Sequence, residues 1–108
     1  MAAKIAAMSF CTYTSPVITW DESKRQSNIR NHRLDFAGCE AVFDGPVIAE
    51  EDARLGYGEQ RINLIGMLRG TVVFMTYTER GDDLHVISLR KAMSHEIKRF
   101  ARRISRQP

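Results

Sequence analysis

Between Gln60 and Leu89 the chain runs in short apolar and β-branched stretches that stop at Arg69-Gly70 and again at Gly81-Asp82-Asp83. That is the pattern of strands joined by tight reversals, because Gly and Asp tolerate the positive φ angles such reversals need. It predicts β-runs over 60–68, 70–78 and 84–89, and the short connections make them antiparallel neighbours. Upstream, Val17-Ile-Thr-Trp20 is a short β-run and Asp21 an N-cap for a mostly polar helix from Glu22 to about His32. Asp35 is set to cap a second helix over 36–43, in which Phe36, Cys39 and Phe43 recur near the helical spacing, and Asp44-Gly45-Pro46 stops it. Val47-Ile48-Ala49 begins a further strand. Ser94 caps a closing helix with Ile97, Phe100, Ala101 and Ile104 on one face and Lys98, Arg99, Arg102, Arg103 and Arg106 on the other. The expected fold is α+β: a short strand, a helical hairpin, a four-stranded antiparallel meander and a C-terminal basic helix.

Length changes this picture little: 108 residues make one domain with one modest core. At 44% hydrophobic and 27% charged the chain is globular rather than disordered. No apolar run approaches the roughly 20 residues needed to cross a bilayer. Residues 1–16 are small, apolar and hydroxylated without an Ala-x-Ala cleavage site, so they read as a flexible leader before a single domain over 17–108. Cys11 and Cys39 are too few for a disulfide framework or a CxxC zinc site. Cys39 reads as a small buried hydrophobe, and a reducing cytoplasm fits.

Charge matters more. Residues 1–54 hold six Lys/Arg and eight Asp/Glu, whereas 55–108 hold ten and five. The second half is the one to meet a polyanion. Its hairpin, from Thr76 to Lys91, carries Glu79 and Arg80 at one strand end and Arg90 and Lys91 at the other. Arginines on rigid strands suit a phosphate, since each guanidinium is a charged, planar fork of donors; the plainer reading is a surface hairpin with solvated charges. No P-loop, GxGxxG, HExxH or Ser-His-Asp arrangement is present, so no bound cofactor or metal is expected.

The run Trp20-Asp-Glu-Ser-Lys24-Arg-Gln-Ser-Asn28-Ile-Arg-Asn-His32-Arg-Leu-Asp35-Phe36, followed by Val42-Phe43-Asp-Gly-Pro46, resembles the opening of the BrnT toxins, a branch of the RelE-like ribonuclease toxins. Tyr57-Gly-Glu59-x-Arg61, Tyr77-Thr-Glu79-Arg80-Gly81 and Ile87-Ser-Leu-Arg90-Lys91-Ala92 agree in order and spacing, so the likeness covers about residues 17–103. It implies a RelE-like α+β fold and the toxin of a type II toxin-antitoxin pair that cleaves RNA. It also implies a BrnA-like antitoxin with a ribbon-helix-helix dimer, forming a hetero-oligomer that binds operator DNA. Two positions depart from the pattern. Asn31 stands before His32 where members often have Lys, which removes one cation, and Leu89 stands where Ala is usual.

For such a nuclease the resemblance makes Arg61, Arg80 and Arg90 the candidates to bind the scissile phosphate. His32 is the natural acid or base, since its pKa near 6.5 lets it exchange protons at neutrality; its other reading is a helix-end residue bonding terminal carbonyls. Glu59 and Glu79 are alternative bases, or carboxylates that orient the neighbouring arginines. Lys24, Lys91, Lys98, Arg99 and Arg102 are the candidate RNA contacts. His85 and His95 match no position of the pattern. Two other functions compete: a basic module that grips nucleic acid through the last helix without cutting, and a ParE-like inhibitor of a protein target.

Overall fold

The computed structural model describes residues 17–52 and 59–105. The expected leader, Tyr57 and Arg106 lie outside the described residues. Five strands form one sheet in the order β1-β5-β4-β3-β2: β1 Val17–Trp20, β2 Val47–Asp52, β3 Arg61–Leu68, β4 Thr71–Arg80 and β5 Asp83–Lys91. The meander β2 to β5 is antiparallel as expected, but β1 joins the same sheet, parallel to β5, with Thr19 beside His85. The sheet is therefore mixed and five-stranded. Helix α1 spans Glu22–His32 and helix α2 spans Ser94–Ser105.

The β4–β5 reversal is tighter than the Gly-Asp-Asp turn expected. Arg80 pairs with Asp83, which leaves Gly81 and Asp82 as the turn, with Gly81 at φ 63°. Farther along, Thr76 pairs with Ser88 but Tyr77 with Val86, so Ile87 is an extra residue in β5. This bulge keeps both Val86 and Leu89 on the core side although they are three residues apart.

One sheet face makes the main core. Ile62, Leu64, Val73, Met75, Tyr77, Leu84, Val86 and Leu89 meet Phe36, Cys39 and Val42 from the segment after α1. Burial pushes the Cys39 thiol up to about 12, consistent with a small buried hydrophobe rather than a reactive group. The expected α-helix over 36–43 is instead a turn and a 3-10 helix, Cys39–Asp44. Asp35 accepts from the Ala37 N–H at 2.9 Å, and Gly38 has φ 84°, a left-handed conformation that stops an α-helix from running through. Arg25 holds Asp35 through two nearly parallel hydrogen bonds of 2.7 and 3.0 Å, which fixes the path of the chain out of α1.

Helix α1 begins as expected: Asp21 accepts from the Ser23 N–H at 3.0 Å. It then runs along the part of β5 that β1 is too short to reach. There Asn28 acts as a substitute strand, donating to the Leu89 carbonyl at 2.8 Å and accepting from the Leu89 N–H at 3.1 Å. The edge of β5 is thus satisfied by one buried side chain.

The opposite face is divided. At one end α2 lays Phe100 and Ile104 on Ile48, Ile65, Val72 and Phe74. The helix is rotated from its expected setting. Glu96 and Phe100 are buried, while Ile97 and Ala101 lie at the surface. Ser94 is the first residue of the helix rather than its cap. Met93 precedes it, and the Glu96 carboxylate accepts from the Met93 N–H at 2.7 Å.

Candidate active site

Beyond α2 the same face turns polar in rows that follow the strand register. Nearest the helix stand Ile48, Ile65, Phe74 and Arg90. Next come Glu50, Asn63, Thr76 and Ser88. The far row is Asp52 beside Arg61, then Thr78 beside His85, then Thr19 on β1, with Arg61 and Thr78 adjoining one step beyond the Ile62–Tyr77 pair. No described helix covers this end. Side chains within the rows are tied together: Thr76 Oγ1 donates to Asn63 Oδ1 at 2.8 Å, Asn63 donates to Asp52 at 3.3 Å, and Thr78 Oγ1 donates to the Gln60 carbonyl at 2.6 Å. Such bonds hold a polar surface in one shape before any ligand arrives.

Arg80 stands at the rim, beside the turn. Its guanidinium is 3.6 Å from Glu59, and the Arg80 side chain keeps 54% of its surface exposed. Arg61, at the start of β3, is half-buried in the far row. His85 lies between them and β1, with Nδ1 2.8 Å from Thr19 Oγ1. Burial holds its pKa below the ordinary value, and the positive charges of Arg80 and Lys24 act in the same direction against the carboxylates of Glu59 and Asp21. The site therefore gathers Arg61, Arg80, Glu59 and Lys24, four of the residues that the sequence pattern marks, around a histidine that it does not. Periodicity alone could have raised His85, because it is a polar position on the sheet face opposite Leu84 and Val86.

The other expected site residues lie elsewhere. Arg90 is opposite Phe74, whereas Arg80 is six residues farther along β4, a separation of about 20 Å at strand rise. Arg90 cannot share one phosphate with Arg80. Its two terminal nitrogens each bond a Glu96 oxygen at 2.9 Å, and its guanidinium covers the Phe74 ring at 4.2 Å. That geometry makes it a clamp between α2 and the sheet. His32 is also at that end of β5, exposed at the end of α1 and one turn past Asn28, which is fixed to Leu89. Lys91 follows Arg90 and is exposed; it pairs in register with Val73 of the core face, so it points away from the polar rows. Lys98, Arg99 and Arg102 are exposed on α2, and Arg99 is ion-paired with Glu50. Arg99 also lines a shallow recess of about 200 Å³ with Glu50, Glu51, Asp52 and Asn63, whose acidic walls repel a phosphate. Glu79 is on the strand face opposite Arg80.

A model of one protein family, described as the ribonuclease toxin BrnT of type II toxin-antitoxin systems, matches residues 20–96. The chain belongs to the BrnT family. No curated protein matches it. Membership makes this a ribonuclease toxin with an antitoxin partner and RNA as its target. The matched span contains α1, strands β2 to β5, the last residue of β1 and every member of the polar rows except Thr19. It ends at Glu96, before Lys98, Arg99 and Arg102. Among the described residues no group of three or more His, Cys, Asp or Glu side chains is arranged to hold a metal ion, and no helix is long and apolar enough to cross a membrane.

Proposed function

We propose that this toxin cleaves RNA without a metal, by attack of a 2′-hydroxyl on the adjacent phosphate, and that the polar end of the sheet is where it does so. The observation that carries the reading is the placement of Arg61 and Arg80 on one hydrogen-bonded end of the sheet, with Lys24 of α1 near enough for its charge to act on the same histidine as Arg80. In-line attack creates a phosphorane whose equatorial oxygens gain charge. Fixed cations aimed at that charge commonly supply the greatest share of an enzyme's rate enhancement. Arg80 presents a planar fork at the rim and Arg61 a second one deeper in the sheet. Glu59, 3.6 Å from Arg80, sets the direction of that fork. Lys24 adds a point charge from the first turn of α1. Cleavage of messenger RNA by this route would stop translation and growth.

The antitoxin silences the toxin most simply by laying acidic side chains over Arg61 and Arg80. A ribbon-helix-helix dimer in that partner would also let the assembly bind operator DNA. The decisive experiment incubates the antitoxin-free protein with total RNA in EDTA, with Arg80→Ala alongside, and maps the fragment ends by sequencing. New ends bearing 2′,3′-cyclic phosphate with the wild type, lost in the variant, support the reading. RNA left intact by folded protein, with or without ribosomes, overturns it.

A further inference from the structure

The imidazole beside Thr19 in the far row has no part in the phosphate-binding scheme above, and its surroundings suit proton transfer. His85 is fixed from several sides. Its Nδ1 is 2.8 Å from Thr19 Oγ1 on β1, and its strand partner is Thr78, 2% exposed and itself bonded to the Gln60 carbonyl. Among the described residues Nε2 has no hydrogen-bond partner. A histidine pinned through Nδ1 with Nε2 open to a ligand has the arrangement by which a base is oriented for catalysis.

We infer that His85 is the general base of the cleavage, with Thr19 as its positioning residue. This rests on the ribonuclease reading of the same face. In this assignment Nδ1–H donates to Thr19 Oγ1, which leaves the Nε2 lone pair for the substrate. The 2′-O–H bond breaks and its proton passes to Nε2. The 2′-oxygen forms a bond to phosphorus while the P–O5′ bond breaks. The departing 5′-oxygen takes a proton from water at the open rim, giving a 2′,3′-cyclic phosphate and a 5′-hydroxyl. His85 then returns its proton to solvent.

The charged groups facing the ring support a base over an acid. Arg80 from β4 and Lys24 from α1 oppose a positive imidazolium, while Glu59 and Asp21 favour it. Burial and Arg80 lead, so the ring is neutral at neutral pH, as a base must be. Activity should fall on the acid side only below the ordinary histidine range.

The test uses an oligoribonucleotide containing a mapped cleavage site, and the same oligonucleotide with sulfur replacing the bridging 5′-oxygen, whose departure needs no proton. His85→Asn keeps an amide near Thr19 but removes the base. It is expected to slow both substrates equally, by about 10²-fold or more, with the acid limb of the pH–rate profile abolished. Thr19→Val is expected to lower kcat several-fold with KM unchanged and to move the acid limb to lower pH, because the imidazolium loses an acceptor. His85→Asn cleaving the ordinary substrate within a few-fold of wild type, or regaining its rate on the sulfur substrate, overturns the assignment. Should His85→Asn not fold, ring-nitrogen NMR of the wild type decides. Titration below the ordinary range, with a shift at Nε2 when a cleavage-site analogue lacking the 2′-hydroxyl is added, supports the assignment; an Nε2 unmoved by the analogue overturns it. A wild type that cuts neither substrate rejects the ribonuclease reading itself, a result distinct from loss in the variant alone.

Discussion

Arg80 and Arg90 sit on the same sheet face and on paired strands, yet their surroundings engage them to opposite degrees. Arg90 is enclosed: Phe74 lies under its guanidinium and both carboxylate oxygens of Glu96 face it, so its charge is spent on joining α2 to the sheet. Arg80 has one carboxylate at 3.6 Å and more than half its side chain in solvent. The first arrangement stabilises and leaves little for a ligand, whereas the second leaves donors directed outward. An arginine's identity therefore says less about function than what already fills its fork.

The comparison breaks most visibly in activity. Arg80→Ala should reduce RNA cleavage by about 10²- to 10³-fold while leaving the thermal midpoint nearly unchanged. Arg90→Ala should do the reverse, costing about 2–3 kcal/mol of stability by leaving Glu96 buried without its partner, with cleavage per folded molecule within a few-fold of wild type. Denaturant unfolding and single-turnover cleavage on both variants check this, and a catalytic loss in Arg90→Ala larger than in Arg80→Ala would reverse the assignment. Asn28→Ala belongs with Arg90: it strands the Leu89 backbone groups on the edge of β5 and should cost about 1–3 kcal/mol without a specific effect on cleavage.

A smaller effect separates the two ends by pH. The Arg90 guanidinium, and after it the Met93 N–H, hold the Glu96 carboxyl below its ordinary value of 4.5. The stability this supplies is complete above that value and is lost as the pH falls through the lower folded-state value. Glu96→Gln should therefore be less stable than wild type at neutrality, with the gap narrowing toward strong acid; a gap that widens there contradicts the clamp. Smallest is the contribution of α2 to RNA binding. Lys98→Gln with Arg102→Gln should lower affinity modestly and reduce the slope of log affinity against log salt by up to about 1.4. Abolished cleavage in that variant would instead make the last helix the main grip on RNA.

The candidate site is legible in the sequence only in part. Arg61, Arg80, Glu59 and Lys24 can be named because the family pattern marks them. His32 and Arg90 carry the same mark, and pattern alone does not say that Asn28 and Glu96 tie their neighbourhoods to the other end of β5. Asn28 and Asp35 illustrate the same ambiguity, since a residue that bonds a sheet edge or holds Arg25 can belong to a pattern as firmly as one that meets RNA. His85 carries no mark, because a strand position acquires chemistry only from what stands on the adjacent strands.

Local chemistry wrote the elements into the chain. Asp21 starts α1 because its carboxylate reaches the Ser23 N–H, Gly81 and Asp82 turn the hairpin because they accept its backbone angles, and alternating apolar positions assign the inward face of each strand. Three features needed the assembled sheet. β1 pairs in parallel with β5, a partner more than sixty residues away; a bulge at Ile87 restores the inward face of Leu89; and α2 turns so that Glu96 meets Arg90 instead of presenting Ile97. Each depends on hydrogen bonds and packing between residues distant in sequence. Thr19, His85, Thr78, Arg61 and Asp52 become one row only when those bonds set the register.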